Sequence, residues 1–207
     1  SDSDKVTGTR YLTTNFFNAL VDLELLYKIM LKQIRIEEGA SYQNVRVITQ
    51  GYDYPIPRNT KAPFFFNSWR GIINRFLGTG KWLYEPMKIK GIDNLETQRK
   101  ITKAMIFYFN QMLIAIAESP KYPNVYHIDS RGLLDTLGGV ERARYWFDEL
   151  HPKERPYSVI VNAIEHTIKT PIPSKKVIHT LDFLKMSEKE RKAAKKKSWC
   201  GCFKIGD

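Results

Sequence analysis

Apolar residues recur at helical spacing in several stretches of the chain. In the first stretch they keep one face apolar from about Thr13 to Ile36, and Gly39 follows where a helix is expected to stop. In the second stretch, Asp93 and Glu96 have the spacing of a capping box that opens a helix. A further stretch, at about residues 187–197, is charged throughout and is also expected to be helical. The predicted helices together cover about residues 13–36, 93–118, 156–168 and 187–197.

Two short stretches rich in β-branched residues are predicted to be buried strands. The first is Val45–Gln50, which runs into a loop that begins at Gly51 and is punctuated by prolines. The second is Val125–Asp129, which is followed by the loop Ser130–Gly132. Strands that alternate with helices favour a parallel sheet and an α/β layer fold. Two strands alone make a poor core, so we expect further sheet elsewhere or pairing with a partner.

The least regular part of the sequence lies between the first strand and the second long helix, at residues 58–91. It is rich in aromatic side chains and contains the run Phe64–Phe66. A short helix is predicted near residues 68–76. We interpret the stretch as a lid-like insertion that lines an acyl-chain pocket, and an insertion that only packs on the core is the alternative.

Composition indicates a folded domain. The chain has 207 residues, of which 43% are hydrophobic and 13% aromatic, enough for a core and unlike a disordered chain. No apolar run approaches the roughly 18 residues that suggest a membrane span. The polar, acidic start, Ser1–Asp4, does not resemble a signal peptide. We expect it to be either a processing junction or a point in the middle of a larger protein.

The net charge of +11 is spread unevenly. Residues 174–207 contain ten Lys or Arg against four Asp or Glu and are predicted to form a basic helical tail. Such a tail can bind an anionic membrane or nucleic acid, and a solvated helix is the alternative. Both cysteines, Cys200 and Cys202, lie in this tail, so no disulfide framework holds the body of the chain. The roles considered for the two cysteines are half of a metal site and a site of acylation.

Candidate chemistry lies just before the helix predicted at 156–168. Asp148 and His151 stand three residues apart, shortly after Trp146. A serine hydroxyl is a weak nucleophile until a base takes its proton, and that base works best when a carboxylate orients it. A turn with this spacing lets the Asp148 carboxylate reach one nitrogen of the His151 imidazole. A structural turn with surface charge is the alternative.

These residues and their surroundings resemble the GDSL-type or SGNH hydrolases, a family of esterases and lipases. The block Trp146–Pro152 is similar to the family's Asp-x-x-His block, Tyr126–Gly132 to its last strand and exit, and Val47–Pro57 to an earlier strand with its active-site loop. The resemblance covers about residues 12–168. It implies a three-layer, flavodoxin-like α/β fold with a parallel sheet, of which residues 1–173 hold the C-terminal part.

The resemblance also implies an activity, that of a serine ester hydrolase. His151 would be the general base and Asp148 the acid that orients it, while no metal or cofactor is implied. Substrate contacts would come from the first strand's loop and from the tryptophan before the Asp-x-x-His pair. The residues expected to bind substrate are Gly51, Tyr52, Asp53 and Trp146.

The departures from the family concern the nucleophile. The chain contains neither a Gly-Asp-Ser block nor a Gly-x-Asn-Asp block. The pair Asp129-Ser130 has no preceding glycine and follows the wrong strand. We therefore expect the serine and most oxyanion donors to lie upstream of Ser1, in a separate segment or chain. The alternative is a non-catalytic module that docks an anionic membrane or an acidic partner through its basic tail; nucleic-acid binding ranks below both.

Several other polar residues have structural explanations that we prefer. His127 alternates within a strand and is expected to be structural. His166 and His179 are expected to lie at the surface or in packing contacts. Arg131 beside Asp129 suggests a simple ion pair. Asp53 is open to a turn role as well as to substrate binding.

Overall fold

A computed structural model describes residues 2–37, 45–59, 82–133, 146, 149–151, 154–170 and 175–185. The helices predicted at 68–76 and 187–197, both cysteines, and residues 60–81 of the lid-like insertion predicted at 58–91 lie outside these residues. The helices are α1 (Asp2–Thr9), α2 (Thr14–Glu37), α3 (Tyr84–Ile89), α4 (Leu95–Glu118), α5 (Glu154–Lys169) and α6 (Thr180–Lys185). The strands are β1 (Val47–Gln50), β2 (Val125–Asp129) and β3 (Val177–His179).

The three strands form one parallel sheet in the order β1-β2-β3. In its register, Thr49 lies beside His127, and Asp129 lies beside His179. Every residue of the central strand β2 is buried. Because the strands are parallel, the carboxyl ends of all three meet at one edge of the sheet, which we call the carboxyl edge.

Helices cover both faces of this sheet. On one face, Val125 packs in a cluster with Leu31 of α2 and residues of α4, and Val47 joins the same cluster. Arg46 precedes Val47 and points the other way, because neighbouring residues of an extended chain alternate. Its guanidinium donates to the carbonyl of Thr167, at the end of α5, at 2.9 Å. The general α/β class predicted from the sequence is confirmed.

The helix α4 begins one residue later than the predicted capping box implies. Its N-cap is Asn94, whose side chain accepts the N–H of Thr97 at 2.9 Å. The predicted pair Asp93 and Glu96 does not form the cap, because the backbone turns into the helix at Asn94. Although α2 and α4 each run for 24 residues, none of the described helices combines the length and hydropathy needed to cross a membrane.

The first helix, α1, has no counterpart in the sequence prediction. Its residues are mostly polar, so apolar periodicity gives no signal. The helix is held by packing along α4, and Gly8 is buried at this contact. A Cβ at Gly8 would stand 1.9 Å from the carbonyl oxygen of Lys100, so only glycine permits this close approach.

The strand β3 lies within the segment that the sequence predicted as a basic helical tail. Val177–His179 instead pair with the central strand β2, and α6 follows directly. The hydroxyl of Thr180 donates to the carbonyl of Asp129 at 3.2 Å and fixes this junction. The sheet therefore extends beyond the boundary expected at residue 173.

Candidate active site

Three described segments meet at the carboxyl edge. Residues 51–59 follow β1, residues 130–133 follow β2, and α6 follows β3 directly. We call the first two the β1 loop and the β2 loop. In open α/β sheets, ligands bind beyond the carboxyl ends of the strands. The side chains of these connections are therefore where a functional site is expected.

Gly51 opens the β1 loop and is buried beside α4. Its N–H donates to the carbonyl of Ile128 at 2.9 Å and continues the ladder between β1 and β2. A Cβ at this position would stand 1.7 Å from Asn110 Oδ1 and 3.0 Å from His127 Nε2. The Asn110 Nδ2 donates in turn to the carbonyl of Tyr52 at 3.2 Å. Because residue 51 has no side chain, the amide of Asn110 on α4 can approach the β1 loop and hold it.

Tyr52 joins the β1 loop to the segment that precedes α5. Its hydroxyl donates to the carbonyl of Leu150, and its ring packs in a cluster with Trp146. Trp146 is only 2% exposed and supports Tyr52 from the interior. Because His151 follows Leu150, this bond holds the exposed His151 beside the β1 loop. Asp148 lies outside the described residues, so its pairing with His151 stays a prediction.

Asp53 joins the β1 loop to the β2 loop. Its Oδ1 accepts the N–H of Tyr54 and the N–H of Gly132, both at 2.7 Å. Gly132 has a φ of 77°, a left-handed conformation that favours glycine and presents its N–H to the carboxylate. Asp53 is 6% exposed. These contacts give it the turn role that the sequence had left open.

Glu149 is fully buried, and its carboxylate accepts three backbone hydrogen bonds. The donors are the N–H groups of Arg58 at 2.8 Å, Leu83 at 2.7 Å and Tyr84 at 3.1 Å. Arg58 belongs to the β1 loop, whereas Leu83 and Tyr84 begin α3. From within the Asp-x-x-His block, the carboxylate therefore joins the two segments of the chain that flank residues 60–81.

Asp129, the last residue of β2, orients two basic side chains. Arg131 donates its Nε to Oδ1 at 2.8 Å and its Nη2 to Oδ2 at 2.7 Å, which confirms the predicted ion pair. The Nδ1 of His179 lies 3.1 Å from Asp129 Oδ2. Asp129 is buried, whereas the side chain of His179 is 51% exposed. A carboxylate thus orients an accessible imidazole, the arrangement that the sequence predicted for another pair.

The ion pair between Asp129 and Arg131 stays charged near neutral pH. Burial disfavours the charged carboxylate, but the hydrogen bonds and positive charge of Arg131 outweigh burial, so the pKa of Asp129 lies below its usual value. Burial also opposes the charge of Arg131, and the bonds from Asp129 outweigh it, so the pKa of Arg131 is raised. The stabilisation that Asp129 contributes is therefore lost only as the pH falls into the acid range.

His127 is a buried neutral side chain. Its Nδ1 lies 3.0 Å from Thr49 Oγ1, and its buried Nε2 has no hydrogen-bond partner among the described residues. Burial lowers the pKa of His127 to about 4; the charge of Asp129 opposes this effect, while Arg131 and His179 add to it. An enclosed imidazole of this kind cannot reach a substrate, which supports the structural role preferred from the sequence.

His127 is expected to make folding stability fall with acid between about pH 6.5 and 4. An unfolded histidine takes up its proton near pH 6.5, whereas His127 does so only near 4. The unfolded state then binds more protons in this window, and stability falls by about 3 kcal/mol as the pH is lowered. Urea unfolding at several pH values should show this slope, and His127→Gln should flatten it.

The control for this slope is His166→Gln, because His166 is exposed on α5. That variant is expected to keep the wild-type slope. The imidazole resonances of His127 in the folded protein should also stay constant down to about pH 5. A His127 resonance that titrates near pH 6.5 would contradict the interpretation.

The structure brings most of the predicted site residues to one place. Gly51, Tyr52 and Asp53 lie in the β1 loop, Trp146 supports it, and His151 stands beside it. Two residues of this region, Glu149 and His179, were not indicated by the sequence. Glu149 gave no signal, because its partners are backbone amides far along the chain. His179 was assigned to the tail because the three residues of β3 are too few to show a period.

Within the part of the chain that the structure describes, no three His, Cys, Asp or Glu side chains are grouped so that they could hold a metal ion. Comparisons of the chain with protein-family models, with curated proteins and with solved structures find no match.

Proposed function

We propose that this chain supplies the general base and its orienting acid to a serine ester hydrolase. The observation that carries the proposal is the hydrogen bond from Tyr52 to the carbonyl of Leu150, which keeps His151 at the carboxyl edge. His151 is exposed there, so its imidazole is accessible to a substrate. The carboxyl edge of a parallel sheet is also where α/β proteins bind their ligands.

In the proposed reaction, His151 takes the proton of a serine hydroxyl as the oxygen attacks the ester carbonyl carbon. His151 then gives the proton to the departing alcohol as the ester C–O bond breaks, which leaves the acyl group on the serine. In the second half, His151 takes a proton from water as the water attacks the acyl carbon, and returns it to the serine oxygen as the carboxylic acid leaves. Asp148 orients the imidazole and stabilises its protonated form. The substrate class is a carboxylic ester, including lipid esters if the aromatic residues between 64 and 84 form an acyl pocket.

We place the nucleophilic serine outside these 207 residues, because the chain has no Gly-Asp-Ser block. Ser130 follows the central strand, but its hydroxyl is buried and has no hydrogen-bond partner among the described residues. The proposed fold is the C-terminal part of an SGNH hydrolase. One edge of β1 has no partner strand among the described residues, and we place the strand that carries the serine there.

The proposal is tested by labelling the complete protein with a fluorophosphonate, which reacts with activated serines. We expect hydrolysis of p-nitrophenyl butyrate and one labelled serine outside residues 1–207, located by mass spectrometry of the tryptic peptides. Heat-denatured protein is the control and should not be labelled. Protein that neither turns over the ester nor labels would reject the hydrolase and favour the non-catalytic module. A labelled serine within the 207 residues would reject the proposed source of the nucleophile.

A further inference from the structure

The helix α2 carries more apolar surface than the rest of the described chain covers. One of its faces is buried, where Leu31 and Tyr27 pack against α4 and β2. Elsewhere around the same helix, large apolar side chains stand in solvent. They are Val21, Leu25, Leu26, Ile29 and Met30, which are 43% to 63% exposed. Exposed large apolar side chains grouped on one helix are typical of an interaction surface.

Four residues form a seam along the exposed face of α2. They are Asp22, Leu25, Ile29 and Lys32, and their spacing of three, four and three residues is that of helix pairs that pack along a shared seam. The order of residues in this seam is self-complementary. When a second copy of α2 runs antiparallel, Leu25 faces the second copy's Ile29, and Asp22 faces the second copy's Lys32.

The charges of this seam are available for such pairing. Asp22 and Lys32 are both exposed, and neither has an ion-pair partner among the described residues. By contrast, Lys28 on the same helix already pairs with Glu24, at 2.5 Å. A shallow groove of about 610 Å³ includes Leu25, Ile29 and Lys32 of the seam, and Lys28, Lys121 and Tyr122 line the rest of it.

We propose that α2 forms a homodimer interface in which two copies of this chain pair antiparallel about a two-fold axis. Leu25 and Ile29 form the apolar centre, and two ion pairs between Asp22 and Lys32 flank it. A two-fold interface uses the same patch on both copies, as this seam permits. An anionic lipid surface would meet Lys28, Lys32 and Lys121 in the groove but would be repelled by Asp22 in the seam, so binding to lipid vesicles is the alternative outcome of the test.

The proposal is tested by sedimentation velocity of the full chain over a range of concentrations, in reducing buffer so that Cys200 and Cys202 cannot cross-link. We expect a dimer whose dissociation constant rises on the order of 100-fold in Leu25→Asp. The matched control is Val161→Asp. Val161 is 53% exposed on α5, which covers the opposite face of the sheet, so this variant should stay dimeric.

A charge swap tests the predicted pairing directly. Asp22→Lys and Lys32→Asp should each weaken the dimer, on the order of ten-fold, because each places like charges opposite one another. The double variant should restore most of the affinity, since the two charges simply exchange places. Circular dichroism of each variant verifies that the fold is kept.

Three outcomes would overturn the proposal. A wild type that stays monomeric at about 100 µM would exclude the homodimer, because a specific interface should associate at that concentration. A dimer that is unaffected by Leu25→Asp would place the interface elsewhere. A monomer that binds vesicles of anionic lipid, and loses that binding in Leu25→Asp, would assign the face to a membrane instead.

Discussion

Replacing His151 with alanine in the complete protein is expected to lower kcat for the proposed ester hydrolysis by about four orders of magnitude or more, on the scale seen when triad members are removed. The imidazole would be the only group that takes the serine proton and returns it to the leaving alcohol. KM should change little, because His151 would act on the reacting atoms rather than on the rest of the substrate. Steady-state hydrolysis of p-nitrophenyl butyrate measures both constants.

His166→Ala is the matched control. His166 is exposed on the last turn of α5, and the neighbouring carbonyl of Thr167 accepts from Arg46, which stands before the amino end of β1. His166 therefore lies at the edge of the sheet opposite the candidate site. Its removal should leave kcat within about two-fold, as is usual for surface substitutions away from a site. Asp148→Asn should lower kcat by several orders of magnitude, because in the proposed mechanism the imidazole would lose the group that orients it.

The structure supplies a specific rival for the role of the base. Asp129 orients the exposed imidazole of His179 at the same carboxyl edge. If His179→Ala abolished turnover and His151→Ala left it intact, the base would be His179, and the assignment of His151 would be wrong. If both variants kept near-wild-type turnover, neither histidine would be the base. The pair of variants thus decides between the two arrangements.

The long helix α2 and the buried strand β2 could be predicted from the sequence, because their apolar residues meet the core. The helix predicted at 13–36 is observed as Thr14–Glu37, and the strand predicted at Val125–Asp129 has those bounds. The strand β1 was also predicted, within Val45–Gln50, whereas α3 and β3 could not be predicted. The six residues of α3 include Pro86, and the three of β3 show no period, so tertiary contacts rather than local preference define them.

The candidate site was predictable in part for a related reason. A glycine at the end of a buried strand and an Asp-x-x-His block are visible in one dimension. The contact that unites them, from Tyr52 to Leu150, joins residues nearly a hundred positions apart. The pairing of Asp129 with His179 depends on the register between β2 and β3, which no local pattern contains. Sequence therefore indicated the participants, and only the fold shows which of them meet.

Glu149 is a different kind of residue, since its partners are all backbone amides. Leu83 occupies the N-cap of α3 and cannot cap it with its own side chain, so the Glu149 carboxylate accepts the N–H groups of Leu83 and Tyr84 instead. The same carboxylate accepts the N–H of Arg58 from the β1 loop. Hydrogen bonds to a charged acceptor each contribute about 1.5–3 kcal/mol, and a buried donor left unpaired costs a similar amount.

Glu149→Gln is therefore expected to lower the free energy of unfolding by about 3 kcal/mol, because the amide retains one acceptor and turns an N–H group towards other donors. Glu149→Ala should cost more, about 4 kcal/mol, since all three donors lose their partner. Urea unfolding measures both, and Glu118→Gln, on the exposed end of α4, should change stability by less than about 0.5 kcal/mol.

Hydrogen exchange separates this local role from a general loss of stability. In Glu149→Gln the amides of Arg58, Leu83 and Tyr84 should exchange much faster, whereas that of Ile101, buried in α4, should change only as far as global unfolding requires. Unchanged protection at the three amides, together with wild-type stability, would mean that the carboxylate does not hold the two segments that flank residues 60–81. If the local loosening occurs and kcat of the complete enzyme also falls, the junction at Glu149 keeps the neighbouring His151 in place for catalysis.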